Sequence, residues 1–332
     1  MNILMEIKNL SVGYEDTILK QLNFSLIEKS FIPILGSNGI GKTTLIKTLF
    51  NLIPKKEGEV LLLGKNIDFY SHQELAELIS ISLSEFLNTG LMSCEDFVGL
   101  GTYNNKQHNS LEYVSRILEK LNITALAERP FSSLSDGQKE WVKLARVLAQ
   151  DTKIVFLDEP MSHLDIAGKV KMMHLLENIS QEENKCILMS SHDWSTIRKF
   201  SKWVYVINEK GEMSFESPED LIIKKDLNKI YSLGNEDYFE DQQGEISINI
   251  PLKFCLDINF KENNESMMLQ KFWLEHSLRK LGYSQMHSAL NGNLINLPNI
   301  TISKDGFLFE EQIFNSIADL ILNIQKKYLS KS

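Results

Sequence analysis

The stretch that decides the fold is GSNGIGKTT, residues 36–44. It matches the pattern G-x-x-x-x-G-K-[ST], in which glycines let the backbone curl so that its N–H groups face a phosphate. A nearly all-apolar run, FIPIL at 31–35, precedes it, and a helical pattern from Thr43 to Phe50 follows. A chance match in a glycine-rich turn would lack this strand-and-helix frame, so we predict a phosphate-binding loop.

The residue types in this loop suit ATP and Mg²⁺ as cofactors. Lys42 is placed to reach the β- and γ-phosphates, and the Thr43 hydroxyl is an oxygen ligand for Mg²⁺. The expected ATP-binding residues of the loop are Gly36, Ser37, Asn38, Gly39, Gly41, Lys42, Thr43 and Thr44.

A second run, IVFLDE at 154–159, ends an apolar segment with two carboxylates. Alone, this pattern is more simply a solvated strand end. Beside a phosphate loop, Asp158 is expected to hold Mg²⁺ through water. Glu159 is then expected to be catalytic and to orient or deprotonate the attacking water.

Short apolar runs alternate with helical patterns along the first two thirds of the chain. CILMSSHD at 186–193 is one such run, and helical spacing occurs at 72–80 and 110–122. Residues 3–10 and 22–28 instead alternate apolar and polar side chains, which is typical of antiparallel strands with one wet face. We therefore predict an α/β fold with a mainly parallel sheet covered on both faces.

The character of the sequence changes near residue 234. The stretch that follows is acidic and poor in aliphatic residues, so we predict a first domain at 1–234 and a linker at 235–245. Residues 246–332 are expected to form a small α+β accessory domain. Its predicted elements are a strand at 252–260, a helix at 267–281, a hairpin at 299–309, and a final helix bearing an apolar stripe from Ile313 to Tyr328.

Bulk composition narrows the class of function. The chain has 332 residues and a net charge of −9, without blocks of Lys and Arg, so we expect no nucleic-acid partner. Cys94, Cys186 and Cys255 form no CxxC pair and are expected to be buried free thiols. We find no signal peptide and no apolar run long enough to span a membrane, so any membrane role should come through a partner.

A third short motif is LSDGQ at 134–138, followed at once by an amphipathic run. The start of a helix presents backbone N–H groups that can hold a phosphate. One nucleotide-binding chain would then carry two phosphate sites about a hundred residues apart, and the second needs an explanation.

Together, these motifs resemble the ATPase subunit of an ABC transporter over about residues 4–232. LSDGQ resembles the signature loop of that family, with Asp136 where glycine is often found. MSHLD at 161–165 resembles the loop that follows the second carboxylate. SSHD at 190–193 places His192 where the family has a histidine against the γ-phosphate. The resemblance implies a P-loop, ABC-type nucleotide-binding domain with an antiparallel β subdomain and a helical signature subdomain.

Two of the residues that match the family also have simpler interpretations. Tyr14 sits where an aromatic ring stacks on adenine, but aromatic residues favour strands in any case. His192 alone is more simply a hydrogen-bonded loop histidine than a catalytic group. At the end of a strand that borders the phosphate site, we favour the catalytic role for His192.

The resemblance also explains the second phosphate site. One chain supplies the phosphate loop, the Mg²⁺ ligands, Glu159 and His192, but no group that covers the γ-phosphate from the opposite side. The family solution is a head-to-tail homodimer, in which each signature loop faces the other subunit's ATP and Asp165 couples the two sites. The signature residues expected to act in trans are Ser135, Asp136, Gly137 and Gln138.

One family feature is missing. A glutamine near Mg²⁺ is expected between the phosphate loop and the signature, but the corresponding stretch, LISISLSEFLNTG at 78–90, has none. Ser84 or Glu85 occupies this slot, and we assign it to Glu85 because a carboxylate oxygen can replace the amide oxygen.

The resemblance implies an ATP-hydrolysing subunit that works with transmembrane permease subunits and, indirectly, with a substrate-binding protein. It would lie on the cytoplasmic face of the cell membrane. The segment DFVGLGTY at 96–103 is similar to iron-complex and cobalamin importers, which points to uptake of a siderophore, haem or cobalamin. The alternative is a soluble ABC-type ATPase that works outside transport.

Overall fold

The structure is a computed structural model. It describes residues 2–84, 90–103, 111–224, 227–231, 238–240, 246–248, 254–256, 258–260, 265–279, 283–285, 295–296, 298–303 and 306–329. The chain divides into two compact units, one formed by Met1–Gly234 with Glu240–Ile246 and the other by Asn235–Phe239 with Ser247–Ser332. Most of the predicted linker at 235–245 lies outside the described residues, so the predicted domain limits remain predictions.

The elements of the first unit follow one another in an order that mixes strands and helices. Its strands are β1 Ile3–Gly13, β2 Thr17–Ile27, β3 Ser30–Leu35, β4 Glu57–Leu62, β5 Lys65–Asn66, β6 Ile79–Ser82, β7 Ile154–Leu157, β8 Cys186–Ser191, β9 Val204–Ile207 and β10 Met213–Glu216. Its helices are α1 Lys42–Leu49, α2 His72–Leu78, α3 Cys94–Gly99, α4 Leu111–Lys120, α5 Asp136–Ala149, α6 Ile166–Glu182, α7 Trp194–Phe200, α8 Pro218–Lys224 and α9 Leu227–Tyr231.

A six-stranded sheet in the order β10-β9-β3-β8-β7-β6 forms the centre of this unit. Its neighbouring strands are parallel except for the β9–β10 pair. A separate sheet in the order β2-β1-β4-β5 is antiparallel. The predicted mainly parallel sheet and antiparallel β subdomain are therefore both confirmed.

Side chains alternate between the two faces of the central sheet, as the period of a strand requires. On β7, Ile154 and Phe156 pack in one buried cluster with β1, β2, β4 and α1. Val155 and Leu157 pack in a second cluster with α3, α4, α5 and α6. The sheet is thus covered on both faces, and its strand ends are held between two cores.

Proline in the central strand β3 is accommodated by uneven pairing. Pro33 has no N–H to give to a ladder. On one side β3 pairs with β8 along its whole length, but on the other it pairs with β9 only at Ile34 and Leu35. Because the β9 ladder begins after Pro33, one side of the proline needs no donor.

The predicted helix at 72–80 is too long. Helix α2 ends at Leu78, and the next residues form β6, which pairs in parallel with β7. Ile79 and Ile81 are β-branched and alternate with serines, a pattern that fits a strand better than a helix turn. The change from helix to strand at Ile79 matters because the end of β6 brings Ser84 to the phosphate site.

The second unit contains both strands and helices. The predicted single strand at 252–260 is two strands that belong to different sheets, and Ile313 and Phe314 lie on a strand before the final helix. The predicted hairpin at 299–309 is confirmed, although Asp305 of its turn lies outside the described residues. Its elements are β13 Phe254–Leu256, β14 Ile258–Phe260, α10 Glu265–Arg279, β15 Tyr283–Gln285, β16 Ile295–Asn296, β17 Ile300–Ser303, β18 Gly306–Phe309, β19 Gln312–Phe314, α11 Ile317–Ile324 and a π-helical turn Gln325–Leu329; two short strands, β11 Tyr238–Glu240 and β12 Ile246–Ile248, come before them.

Two further expectations concern the thiols and the membrane. Cys94 and Cys186 are buried and free, and burial raises the pKa of the Cys186 thiol to about 12. The side chain of Cys255 lies outside the described residues. In the part of the chain that the structure describes, no helix has the length and apolar character needed to cross a bilayer.

Candidate functional site

The phosphate loop lies between β3 and α1, at the carboxyl end of a central parallel strand. Gly39 and Gly41 have φ of 78° and 110°, in the left-handed region that favours glycine. A Cβ on Gly41 would lie 2.9 Å from Cγ2 of Ile18 on β2. Backbone conformation favours glycine at both positions, space requires it at Gly41, and the antiparallel sheet borders the loop.

Lys42 lies inside the loop with only 6% of its surface exposed. Its Nζ donates to the backbone oxygens of Gly36 and Ser37 at 2.8 and 3.1 Å, and lies 3.3 Å from Oε1 of Glu159. The three N–H donors of an ammonium group thus have three acceptors. A phosphate bound in the loop would compete directly for this ammonium.

Asp158 follows β7 and is nearly fully buried. The Thr43 hydroxyl lies 3.0 and 2.8 Å from its Oδ1 and Oδ2. A carboxylate and a hydroxyl are hard oxygen donors, which suit Mg²⁺ held jointly by protein and phosphate oxygens. The described residues contain no cluster of three or more His, Cys, Asp or Glu side chains suited to a metal.

Glu159 joins the two sides of the site. Its Oε2 lies 2.8 Å from Nδ1 of His192, while its Oε1 faces Lys42. Its φ of 50° is unusual for a residue with a Cβ, and such strained positions cluster at functional sites. The structure therefore brings both expected catalytic side chains, Glu159 and His192, to the expected Mg²⁺ ligand Asp158.

The backbone of His192 is contacted by helix α9, near the end of the first unit. The hydroxyl of Tyr231 on α9 donates to the backbone oxygen of His192 at 2.9 Å. Burial raises the pKa of Tyr231 further above the ordinary tyrosine value, and the hydroxyl acts here as a donor. Neighbouring Asp193 caps α7 and pairs with Lys169 of α6 at 2.6 Å.

The site also contains two serines: Ser84, the alternative to Glu85 for the glutamine slot, and Ser190, for which the sequence predicts no function. Ser84 donates to Oδ2 of Asp158 at 2.8 Å, and Ser190 donates to Oδ1 at 2.7 Å. Both lie at the ends of strands that flank β7, and only the strand order of the folded sheet brings them to Asp158. Glu85, which we placed in the glutamine slot, lies outside the described residues.

The tip between β1 and β2 carries Tyr14. Its side chain is 56% exposed, which is unusual for a tyrosine that merely packs in a strand. The neighbouring β2 residue Ile18 lies against Gly41 of the phosphate loop. An exposed ring on a hairpin beside the loop is available for stacking.

The signature loop, residues 134–138, forms the start of α5. The Ser135 hydroxyl accepts from the Gln138 N–H at 3.3 Å, and the Ser135 N–H donates to Oε1 of Gln138 at 3.1 Å. This is a capping box, which fixes the first turn of the helix. Asp136 pairs with Lys139 at 3.0 Å, and this hydrogen bond lowers the pKa of its carboxyl.

The loop at 161–165 lies against the signature loop of the same chain. A Cβ on Gly137 would lie 3.1 Å from the backbone oxygen of His163, so glycine permits this close approach. Asp165 caps α6, with its Oδ1 accepting from the Gly168 N–H at 2.7 Å. Within the described residues, the hydrogen bonds of the signature loop reach neither Lys42 nor Glu159.

Comparison with known proteins gives the same family from sequence and from structure. The profile of the ABC transporter family matches residues 19–162. An uncharacterized ABC transporter ATP-binding protein of Methanocaldococcus jannaschii is 30% identical over 249 residues, which cover 71% of this chain and 84% of that protein. The ferric enterobactin transport ATP-binding protein of Escherichia coli is 28% identical over 233 residues, covering 68% of this chain and 86% of that protein.

One of the similar solved structures contains bound nucleotide. It is a dimeric structure of an ATP-binding cassette after hydrolysis, bound to ADP and Pi. It matches with a TM-score of 0.58 at 26% identity, and covers 64% of this chain and 98% of that chain.

Proposed function

Since the chain belongs to the ABC transporter ATP-binding proteins, we propose that it powers the import of an iron complex through a membrane permease. The chain is an ATPase whose hydrolysis is coupled to transport, and cassettes of its family bind ATP and ADP. The observation that carries the ATP-hydrolysing part of this proposal is the convergence of Lys42, Thr43, Asp158, Glu159 and His192 at one end of the central sheet.

The contacts of Glu159 support its role as the group that activates water. In the structure one oxygen faces Lys42 and the other faces His192. A γ-phosphate would draw the Lys42 ammonium to itself, because the phosphate carries more charge than the carboxylate it replaces. Oε1 would then be free to accept a hydrogen bond from the attacking water while His192 holds Oε2 in place.

Mg²⁺ would be held by Thr43, by Asp158 and by phosphate oxygens. It would supply positive charge that neutralises the negative charge developing on the phosphates during hydrolysis. The phosphate loop needs no large movement for this, because Thr43 and Asp158 already face each other at hydrogen-bond distance. The loop glycines and Tyr14 would hold the phosphates and the adenine.

We propose that the complete site forms in a head-to-tail homodimer. The capped start of α5 holds Ser135 and Gly137 in a fixed turn with backbone N–H groups at a helix N-terminus, a natural site for phosphate. Ser135, Asp136, Gly137 and Gln138 would cover the γ-phosphate of the second subunit. Asp165, which lies beside this loop, would transmit its position to the neighbouring site.

Exposed apolar residues that flank α3 on both sides suit the permease as a partner. Leu91, Leu100 and Tyr103 are all strongly exposed. Leu100 and Tyr103 line a cavity of about 160 Å³ with Arg146, whose buried Nε lacks a hydrogen-bond partner among the described residues. Exposed apolar surface of this kind marks interaction sites, and we assign it to the permease.

The substrate class comes from the relatives. The Escherichia coli protein is named for ferric enterobactin transport, and we extend an iron complex of this type to the present chain. A substrate-binding protein would then deliver the complex, no nucleic acid would be involved, and the chain would lie on the cytoplasmic face of the membrane by way of its permease.

Replacing the proposed general base tests this function. In Glu159→Gln, hydrolysis of ATP should fall by about 100-fold or more, because the amide cannot take a proton from water. ATP binding should persist. We would measure phosphate release and transport of a ferric siderophore into vesicles that contain the chain and its permease. Hydrolysis at the wild-type rate would contradict the role of Glu159, and hydrolysis without uptake of any iron complex would contradict the substrate class.

A further inference from the structure

The carboxylate of Asp158 accepts hydrogen bonds from residues at the ends of both neighbouring strands. In the central sheet β7 lies between β6 and β8. Ser84, just beyond β6, donates to Oδ2 at 2.8 Å, while Ser190 on β8 donates to Oδ1 at 2.7 Å. Each carboxylate oxygen therefore has its own serine donor, in addition to the Thr43 hydroxyl.

Ser190 makes a second contact that joins the metal ligand to the catalytic residue. Its side chain is fully buried, and its oxygen accepts from the backbone N–H of Glu159 at 2.9 Å. The Ser190 hydroxyl thus donates its proton to Asp158 and accepts from Glu159 with a lone pair of its oxygen. Because Glu159 has the strained φ of 50°, this hydrogen bond helps hold the backbone in that conformation.

We propose that Ser84 and Ser190 are positioning residues that form a hydroxyl clamp on Asp158 and so set the affinity of the site for Mg²⁺. The proposal rests on the proposed function, since it concerns the same nucleotide site. In addition, it assigns to Ser84 the slot where the family has a glutamine. From this slot Ser84 donates to the carboxylate of Asp158, the candidate Mg²⁺ ligand. Ser84 would therefore influence Mg²⁺ through Asp158.

Carboxylate geometry gives the clamp its effect. The terminal torsion of an Asp side chain is broad, so an unclamped carboxylate samples many orientations. The Thr43 hydroxyl also contacts this carboxylate, but as a candidate Mg²⁺ ligand its oxygen would be shared with the metal. Ser84 and Ser190 would then be the contacts that keep the carboxylate plane aligned. Partners that orient metal ligands in this way commonly change metal affinity or activity by about 10- to 100-fold when removed.

The test measures ADP binding by the full-length chain, with and without Mg²⁺, by calorimetry. For Ser84→Ala and Ser190→Ala we expect the Mg²⁺ concentration that half-maximally tightens ADP binding to rise about 10-fold or more. ADP binding without Mg²⁺ should change little, because the phosphate loop is untouched. Ser190→Thr keeps the hydroxyl and should restore most of the Mg²⁺ response.

Ser80→Ala is the matched control. Ser80 is a fully buried serine on β6 that shares a hydrogen bond of 2.9 Å with Thr152, away from the nucleotide site. It should lower the thermal midpoint about as much as Ser190→Ala while leaving the Mg²⁺ response unchanged.

The outcomes separate the clamp from the function on which it rests. Serine variants that lose thermal stability like Ser80→Ala but keep the wild-type Mg²⁺ response would overturn the clamp and leave the serines with a structural role. A wild-type chain that binds no ADP would instead contradict the proposed function. If the kcat of Ser84→Ala and Ser190→Ala falls further below the wild-type kcat at low Mg²⁺ than at high Mg²⁺, the clamp also acts during hydrolysis.

Discussion

The phosphate loop and the signature loop are both phosphate-binding structures by sequence, yet their side chains are used in opposite ways. Lys42 and Thr43 are bonded across the sheet to Glu159 and Asp158, which lie more than a hundred residues away. Ser135, by contrast, bonds to Gln138 in its own helical turn. The side chains of the phosphate loop contact other candidate site residues of the same chain, whereas those of the signature loop form their described hydrogen bonds only within their own helical turn. The difference supports the proposal that the second loop serves an ATP bound to another subunit.

The largest effect should come from blocking the signature loop. In Ser135→Arg, a bulky cation would stand where the loop must approach a second subunit, so hydrolysis should fall to background. ADP binding by the isolated chain should remain within about twofold of wild type, because no described hydrogen bond links this loop to the phosphate loop. Phosphate release and ADP calorimetry on the same preparation measure both.

Ser71→Arg is a matched control for the lost helix cap. Ser71 forms the same capping box with Glu74 at the start of α2. Loss of hydrolysis in both variants would mean that unspecific helix damage is the cause, and loss of ADP binding in Ser135→Arg would break the proposed division between the loops.

The reciprocal change is Lys42→Ala. Removing the ammonium should weaken ADP binding by the isolated chain by about 10- to 100-fold, since hydrogen bonds to charged groups contribute about 1.5–3 kcal/mol. Lys47→Ala, on the same helix α1, serves as the control and should bind ADP normally. If Lys42→Ala kept full affinity, the first loop would not be the nucleotide site of its own chain.

The comparison also shows what sequence could and could not provide. The phosphate loop was predictable because glycines and lysine at fixed spacing carry their own backbone geometry, and the parallel sheet followed from apolar runs between helices. The strand at Ile79–Ser82 was missed because helical spacing from α2 continues into it, and only pairing with β7 decides its conformation. Local propensity is weak against such tertiary contacts.

The serines of the site illustrate a second limit. Ser84 and Ser190 carry no motif by themselves, and their function depends on which strands flank β7. Sequence order does not reveal that β6 and β8 are its neighbours. The glutamine slot was assigned to Glu85 from chemistry alone, whereas the described contact at this sheet edge comes from the smaller Ser84.

A smaller effect is expected at Tyr14, which tests whether the first loop is completed by a stacking ring. Base–aromatic stacking contributes about 1–3 kcal/mol, so Tyr14→Ala should weaken ATP binding by roughly 5- to 100-fold. Tyr14→Trp should retain it. Competition with inorganic triphosphate, which has no base, should be unaffected. Equal loss of triphosphate and ATP binding would assign Tyr14 to the packing of the hairpin instead.

The smallest predicted effect concerns the shape of the signature loop itself. Gln138→Ala removes the side chain that accepts from the Ser135 N–H, and loss of such a capping contact costs about 0.5–1 kcal/mol. For a domain of this size the thermal midpoint should fall by about 1–4 °C. Glu74→Ala in the capping box of α2 should cause a similar fall. If the loop serves a second subunit, Gln138→Ala should also slow hydrolysis severalfold, while Glu74→Ala should not. If Gln138→Ala and Glu74→Ala hydrolyse ATP at equal rates and lose equal stability, the capping box of α5 only stabilises its helix. The case for a phosphate held in trans would then rest on Ser135 alone.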